Sequence, residues 1–173
     1  MASFDASTAE CFVFTYKEGM LSALAHDLKH RVTAFSVEID DSTRAIEATF
    51  DASSLVVECV MKDGACVVGT LKDSHRAEIQ RNVVKDILHA KKHPNIRFRS
   101  SRIEPEGEGY KIVGVLSLHG VDREIEAVAR REDGRLIAEV ELYQPDFGIK
   151  PYRAMMGTLK IKPALHVRLS LPA

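Results

Sequence analysis

Asp86-Ile87-Leu88-His89-Ala90-Lys91-Lys92-His93-Pro94 runs directly into Asn95-Ile96-Arg97-Phe98-Arg99-Ser100-Ser101, and the fold is decided at that junction. The first half closes an amphipathic helix. Upstream of it Ile79, Val83, Val84, Ile87 and Leu88 recur at spacings of three and four. Asp73 or Ser74 reads as the N-cap. Pro94 ends the helix, because the residue before a proline is pushed out of the helical region. In the second half the period drops to two, with Ile96 and Phe98 opposite Arg97 and Arg99.

Strand patterns surround this helix on both sides. Downstream, Glu106-Gly107-Glu108-Gly109, His119-Gly120 and Asp133-Gly134 punctuate runs that begin at Tyr110, Arg123 and Leu136. The run from Leu159 to Leu169 alternates apolar residues with Lys160, Lys162, His166 and Arg168. Upstream, Phe12, Phe14 and Tyr16 alternate with Val13 and Thr15, and Phe35, Val37 and Ile39 alternate with Ser36 and Glu38. Leu55–Met61 and Ala65–Thr70 form a hairpin around Asp63-Gly64, a strong turn signal. Met20–Lys29 (MLSALAHDLK) has helix formers and no β-branched residue, which predicts a short helix. The pattern predicts an all-β single domain over residues 1–173. It is an antiparallel barrel of about eight strands with one long and one short helix, one apolar face per strand enclosing a ligand-sized interior. A filled sandwich is the competing architecture.

Charge and composition exclude several function classes. Twenty-four basic and 25 acidic residues leave a formal charge of -1, so nothing global recruits nucleic acid or an anionic membrane. The lack of Trp argues against a base-stacking surface. No apolar run approaches the roughly 20 residues that span a bilayer, and the N-terminus has no signal-peptide pattern. The expectation is a cytoplasmic protein without membrane insertion. Cys11, Cys59 and Cys66 are too few for a disulfide framework. Cys59 and Cys66 sit diagonally across the Asp63-Gly64 hairpin, so a redox pair is conceivable, but small buried thiols are the expected state in a cytosolic chain.

Four segments, GMLSALAHDL (19–28), HPNIRFRSS (93–101), GVLSLHGVDREI (114–125) and PDFGIKPYRAMMGTLKIKPALHVRLSLP (145–172), resemble, in this order, the YceI-like family. The resemblance implies a lipocalin-like antiparallel barrel with a helix beside it. It also implies an interior that holds a polyisoprenoid chain such as a quinone tail. This chain departs from the family at its short first strand, at His93 before Pro94, where the family has Tyr, and at Gln144-Pro145, where the family has Arg before Asp-Phe-Gly-Ile. These changes fall at the ends of the barrel, where a ligand would be chosen.

Candidate ligand-binding residues are the inner-face aromatics Phe12, Phe14, Phe35, Phe50, Phe98 and Phe147 with Val37, Leu116 and Leu118. Small residues such as Ala48, Gly114, Ala127 and Ala138 could leave room between them. Tyr152 and Met155 suit an adaptable apolar rim. His26 beside Asp27 reads as a local cap or as a polar pair for a ligand headgroup. No catalytic group or cofactor is expected, apart from a bound isoprenoid or fatty ligand. The partner is an apolar small molecule, and a homodimer stays open.

Two further readings compete. His26/His30 and His89/His93 are pairs four apart that would have to converge for a metal- or His-dependent enzyme. A ligand-free barrel would instead act through its surface as an interaction module. Asp146-Phe147-Gly148 lacks every other element of a kinase, and Gly148 reads as a bulge or bend in the barrel wall. Arg97, Arg99 and Arg102 read as a solvated outer face.

Overall fold

The computed structural model describes residues 1–19 and 25–173, with only the backbone at Met155. In chain order the strands are β1 (Ala2–Asp5), β2 (Glu10–Thr15), β3 (Asp27–Val32), β4 (Phe35–Ile39), β5 (Ile46–Asp51), β6 (Leu55–Lys62) and β7 (Ala65–Val67). Helix α1 (Asp73–Asn82) follows and runs on into a π-helical turn over Val83–Ile87. Then come β8 (Asn95–Glu106), β9 (Gly109–Leu118), β10 (Val121–Glu132), β11 (Arg135–Tyr143), the two-residue β12 (Arg153–Ala154) and β13 (Leu159–Lys160), and β14 (Ala164–Pro172).

Twelve strands form one antiparallel sheet in the order β1-β4-β5-β8-β9-β10-β11-β14-β2-β3-β6-β7, and β12 pairs with β13 separately. The expected closed barrel of about eight strands is therefore corrected to a curled twelve-stranded sheet whose edges, β1 and β7, do not pair. The chain forces the curl. β3 and β4 lie near opposite ends of the strand order, yet only Thr33 and Ala34 separate them. Three peptide steps reach about 11 Å at most, so the two ends of the sheet must come round to face each other. The Ala34 carbonyl accepts from Asp51 N and the Ser54 carbonyl from Thr33 N, fastening that seam outside the regular ladder. Ala9, Cys11, Val32, Phe35, Val37, Ala48 and Leu171 then pack as one cluster drawn from both ends of the sheet.

Three hairpins carry the turn chemistry their sequences announce. Asp63-Gly64, His119-Gly120 and Asp133-Gly134 all have positive φ at both residues, the two-residue type I′ geometry that matches strand twist. Elsewhere the strand reading needs revision. Leu159–Leu169 is not one strand, because Pro163 interrupts it between β13 and β14. Gly148 is not a bulge in the wall. It is the left-handed cap (φ 66°) of a 3-10 turn over Gln144–Phe147, with Pro145 in its first turn. Arg99 and Arg102 do lie on the solvated outer face, paired with Glu47 (3.1 Å) and Glu104 (2.6 Å).

The helical predictions fare unevenly. The long helix forms, but its N-cap is Lys72 with no side-chain hydrogen bond, in place of Asp73 or Ser74. Of the short helix expected over Met20–Lys29, residues 20–24 lie outside the described residues and Asp27–Lys29 belong to β3. β3 wins there because it adds to a ladder on both sides, β2 and β6, which outweighs local helix propensity.

Candidate binding cavity

The curled sheet encloses a cavity of about 820 Å³, within the roughly 300–1,000 Å³ typical of small-molecule sites. The alternation of each strand decides what faces it. Leu28, His30 and Val32 of β3, Ile46, Ala48 and Phe50 of β5, and Leu136, Ala138, Val140 and Leu142 of β11 all face inward. Leu165, Val167, Leu169 and Leu171 of β14 do the same. Below this wall α1 and its π-helical turn lie across one end, contributing Ile79, Val83, Ile87 and Leu88. Tyr152 of the segment before β12 reaches the same space, and its hydroxyl meets Asn82 Nδ2 of α1 at 3.4 Å.

Of the residues singled out in the sequence, the structure brings His26, Val37, Phe50, Phe98, Leu116, Leu118 and Tyr152 together around this cavity. Phe35 faces the same way but stands behind Phe50, with the two rings stacked at 5.7 Å. Phe147 is 2% exposed and packs with Leu116, Leu118, Leu142 and Ile149 without lining the cavity. The side chain of Met155 is outside the described residues. The small residues Ala48, Ala127 and Ala138 do line the cavity. Gly114 makes room differently: a Cβ there would stand 2.5 Å from the Phe98 ring and 2.4 Å from the Arg99 carbonyl.

Phe12 and Phe14 are corrections. On β2 it is Cys11, Val13 and Thr15 that face the cavity, and the two aromatics lie on the outer face. Phe12 is covered there by Lys29 Nζ, 3.9 Å from its ring centre, and by the Arg31 guanidinium at 4.6 Å. Phe14 packs against His166, ring centres 6.3 Å apart. A strand with apolar residues on both faces does not fix its own register, and a slip of one residue exchanges the faces.

The polar groups of the β2–β3 wall are His30, Thr15, the Cys11 thiol and His26, while Asp51, His75, Glu78, Asn82, Glu139 and Gln144 line other parts. His30, 3% exposed, sets Nε2 3.1 Å from Thr15 Oγ1. Burial pushes its pKa down to about 4, so the ring is neutral at ordinary pH. Burial also pushes the free Cys11 thiol up to about 12, so it behaves as an apolar lining group. Asp27 accepts a 2.8 Å hydrogen bond from Lys17 N, a local cap, while its neighbour His26 lines the cavity. His30 and Thr15 form an interior polar pair that the sequence reading did not join. The period-two spacing of His26, Leu28, His30 and Val32 carried the signal.

The two histidine pairs have different fates. His26 and His30 share the inner side of β3 and its approach. His89 and His93 meet a third ring, His119 of the β9–β10 turn, with centres 5.3 and 4.8 Å from it. His119 Nδ1 lies 3.1 Å from the Phe147 carbonyl, which can only accept, so that nitrogen carries the proton. The cluster pins the end of the helical segment to the strand turn. Among the described residues no group of three or more His, Cys, Asp or Glu is arranged to hold a metal ion. Cys59 and Cys66 are joined as a disulfide, which overturns the expectation of free thiols. The bond ties β7, and through it the approach to α1, to β6.

A model of the YceI-like domain matches residues 4–173. The chain belongs to the YceI-like family. Solved structures share the fold of this YceI-like protein. BcnA of Burkholderia cenocepacia superposes with a TM-score of 0.66 at 16% identity, covering 98% of each chain. The YCEI protein of Campylobacter jejuni does so with a TM-score of 0.59 at 16% identity, covering 86% of this chain and 85% of that one. No curated protein sequence matches the chain. No helix among the described residues is long and apolar enough to cross a membrane.

Proposed function

We propose that this YceI-like protein binds an extended apolar small molecule, an isoprenoid or similar lipid tail, inside its curled sheet and sequesters or carries it without chemistry. The observation behind this reading is the 820 Å³ interior lined mainly by aliphatic side chains. Each methylene moved there from water contributes about 0.8 kcal/mol before losses of freedom are counted, so a tail needs no charged partner to bind. His30 and Thr15 satisfy each other, and the thiol of Cys11 is held protonated, which leaves no ionised group facing the tail on that part of the wall. The departures from the family pattern at His93 and Gln144-Pro145 lie at the end covered by α1, so they bear on access and headgroup choice.

Equilibrium binding of a quinone with an isoprenoid tail, beside the same quinone headgroup without it, tests the reading. The tailed compound should bind at one per protein and the bare headgroup should not. Equal binding of both, or binding of neither, would count against an interior tail site.

A further inference from the structure

The overall charge balance conceals a locally basic segment. Successive hairpins place the β11–β14 connection, residues 144–163, at the end of the curled sheet covered by α1. This segment carries Lys150, Arg153, Lys160 and Lys162 against the single carboxylate Asp146, in a chain whose formal charge is -1. None of the four cations is in an ion pair among the described residues, and all but the half-exposed Lys160 are exposed. The turns at the other end mix signs: Asp40-Asp41 with Arg44, Glu106 with Glu108, and Glu132-Asp133 between Arg131 and Arg135.

Two side chains at the basic end are also conspicuously apolar. Met156, at the tip between β12 and β13, and Val68, just after β7, are the most exposed large apolar residues described, at 105% and 94%. Both tips belong to one rim. Val68 precedes Thr70 and Leu71, which line the cavity, and Met156 stands between Ala154 and Leu159, which line it too. The registers agree: the end of β6 meets the start of β3, which lies against the end of β2, and the Lys162 amide donates to the Tyr16 carbonyl beyond β2. A mouth to an apolar cavity thus carries four cations in no ion pair among the described residues, with the carboxylates Glu18, Asp63 and Asp146 beside them, and is tipped by two solvated apolar side chains.

We propose that this rim is a docking surface for an anionic lipid bilayer, on which the protein takes up or delivers its tail without spanning the membrane. The proposal rests on the reading of the cavity as a tail-binding site. Cations attract the negative surface, and the apolar tips enter the headgroup boundary, two signals that together hold a peripheral protein where either alone is weak.

Flotation of the purified protein with phosphatidylcholine vesicles, with and without phosphatidylglycerol, tests it, with extractable ligand measured in each sample. The wild type should float with the anionic vesicles at low salt and be released at high salt. Both Lys160→Glu/Lys162→Glu and Val68→Ser/Met156→Ser should lower the bound fraction roughly tenfold. Neither pair lines the cavity, so ligand content should not change. Binding that ignores phosphatidylglycerol, or no flotation at all, overturns the proposal. Loss on charge reversal with no loss on Val68→Ser/Met156→Ser also overturns it and points to a soluble acidic macromolecule. Vesicle binding by a protein that holds no ligand and takes up none leaves the docking surface standing and removes the carriage role.

Discussion

Strands β9 and β11 and helix α1 all give side chains to the same cavity, but only the strands bury theirs. Ile112, Leu116 and Leu118 of β9 and Leu142 of β11 are below a tenth exposed, while α1 has no buried residue. The wall gains a ladder neighbour on both sides and a packed interior. The helix rests on β6 and is otherwise held at a few points: the Cys59–Cys66 bond before it, Asn82 to Tyr152 within it, and the His89/His93/His119 cluster after it. The wall therefore sets how much the interior can hold, and the helix sets how it is reached. Segments with few buried contacts open at lower cost than the core.

The largest effect should come from charging the wall. Leu116→Asp puts an unpaired carboxylate into the lining, and the cost of several kcal/mol should abolish ligand retention and lower the melting temperature. Retention by a folded variant would place the ligand elsewhere. The interior histidine should show the wall's other weakness. His30 is held near pKa 4 against 6.5 in the unfolded chain, so the unfolded state binds more protons between those values. Stability should be flat above about pH 6.5 and fall by about 3 kcal/mol as the pH drops to 4. In His30→Gln, denaturant unfolding across that range should lose this slope.

How much of this contrast could be read from the chain depends on whether neighbours or the local pattern decide it. β11 and β14 alternate cleanly, so their inward residues are legible residue by residue. The three type I′ turns are legible because Asp-Gly and His-Gly need positive φ whatever surrounds them. β2 is not, since Phe12 and Phe14 rival Cys11 and Val13 in apolarity and only the partners across the sheet choose the face. β3 is hidden for the same reason: Asp27-Leu28-Lys29 has helical propensity until β2 and β6 supply a ladder on each side. β1 and β12, four and two residues long, have too little length to show a period, and the two-residue β13 merges in pattern with β14.

The helix side of the comparison predicts smaller effects on stability and larger ones on exchange. Loop-closure entropy for the short Cys59–Cys66 ring gives about 2 kcal/mol, so Cys59→Ser/Cys66→Ser should leave a folded barrel. Hydrogen exchange should then rise over residues 65–82 and stay unchanged in β9 to β11. Protection lost evenly over the whole sheet would contradict the division into wall and cover. Asn82→Ala should have the smallest effect, under about 1 kcal/mol, because the 3.4 Å contact to Tyr152 is long. It should show as faster release of a bound tail with an unaltered melting temperature.

Mass spectrometry of an organic extract of the purified protein, beside a native spectrum of the intact chain, tests the central claim most directly. The account predicts one isoprenoid or fatty species per chain, seen as an added mass in the native spectrum and recovered in the extract. A bare protein mass with an empty extract, unchanged after incubation with isoprenoid lipids, would contradict it and leave a barrel that acts through its surface.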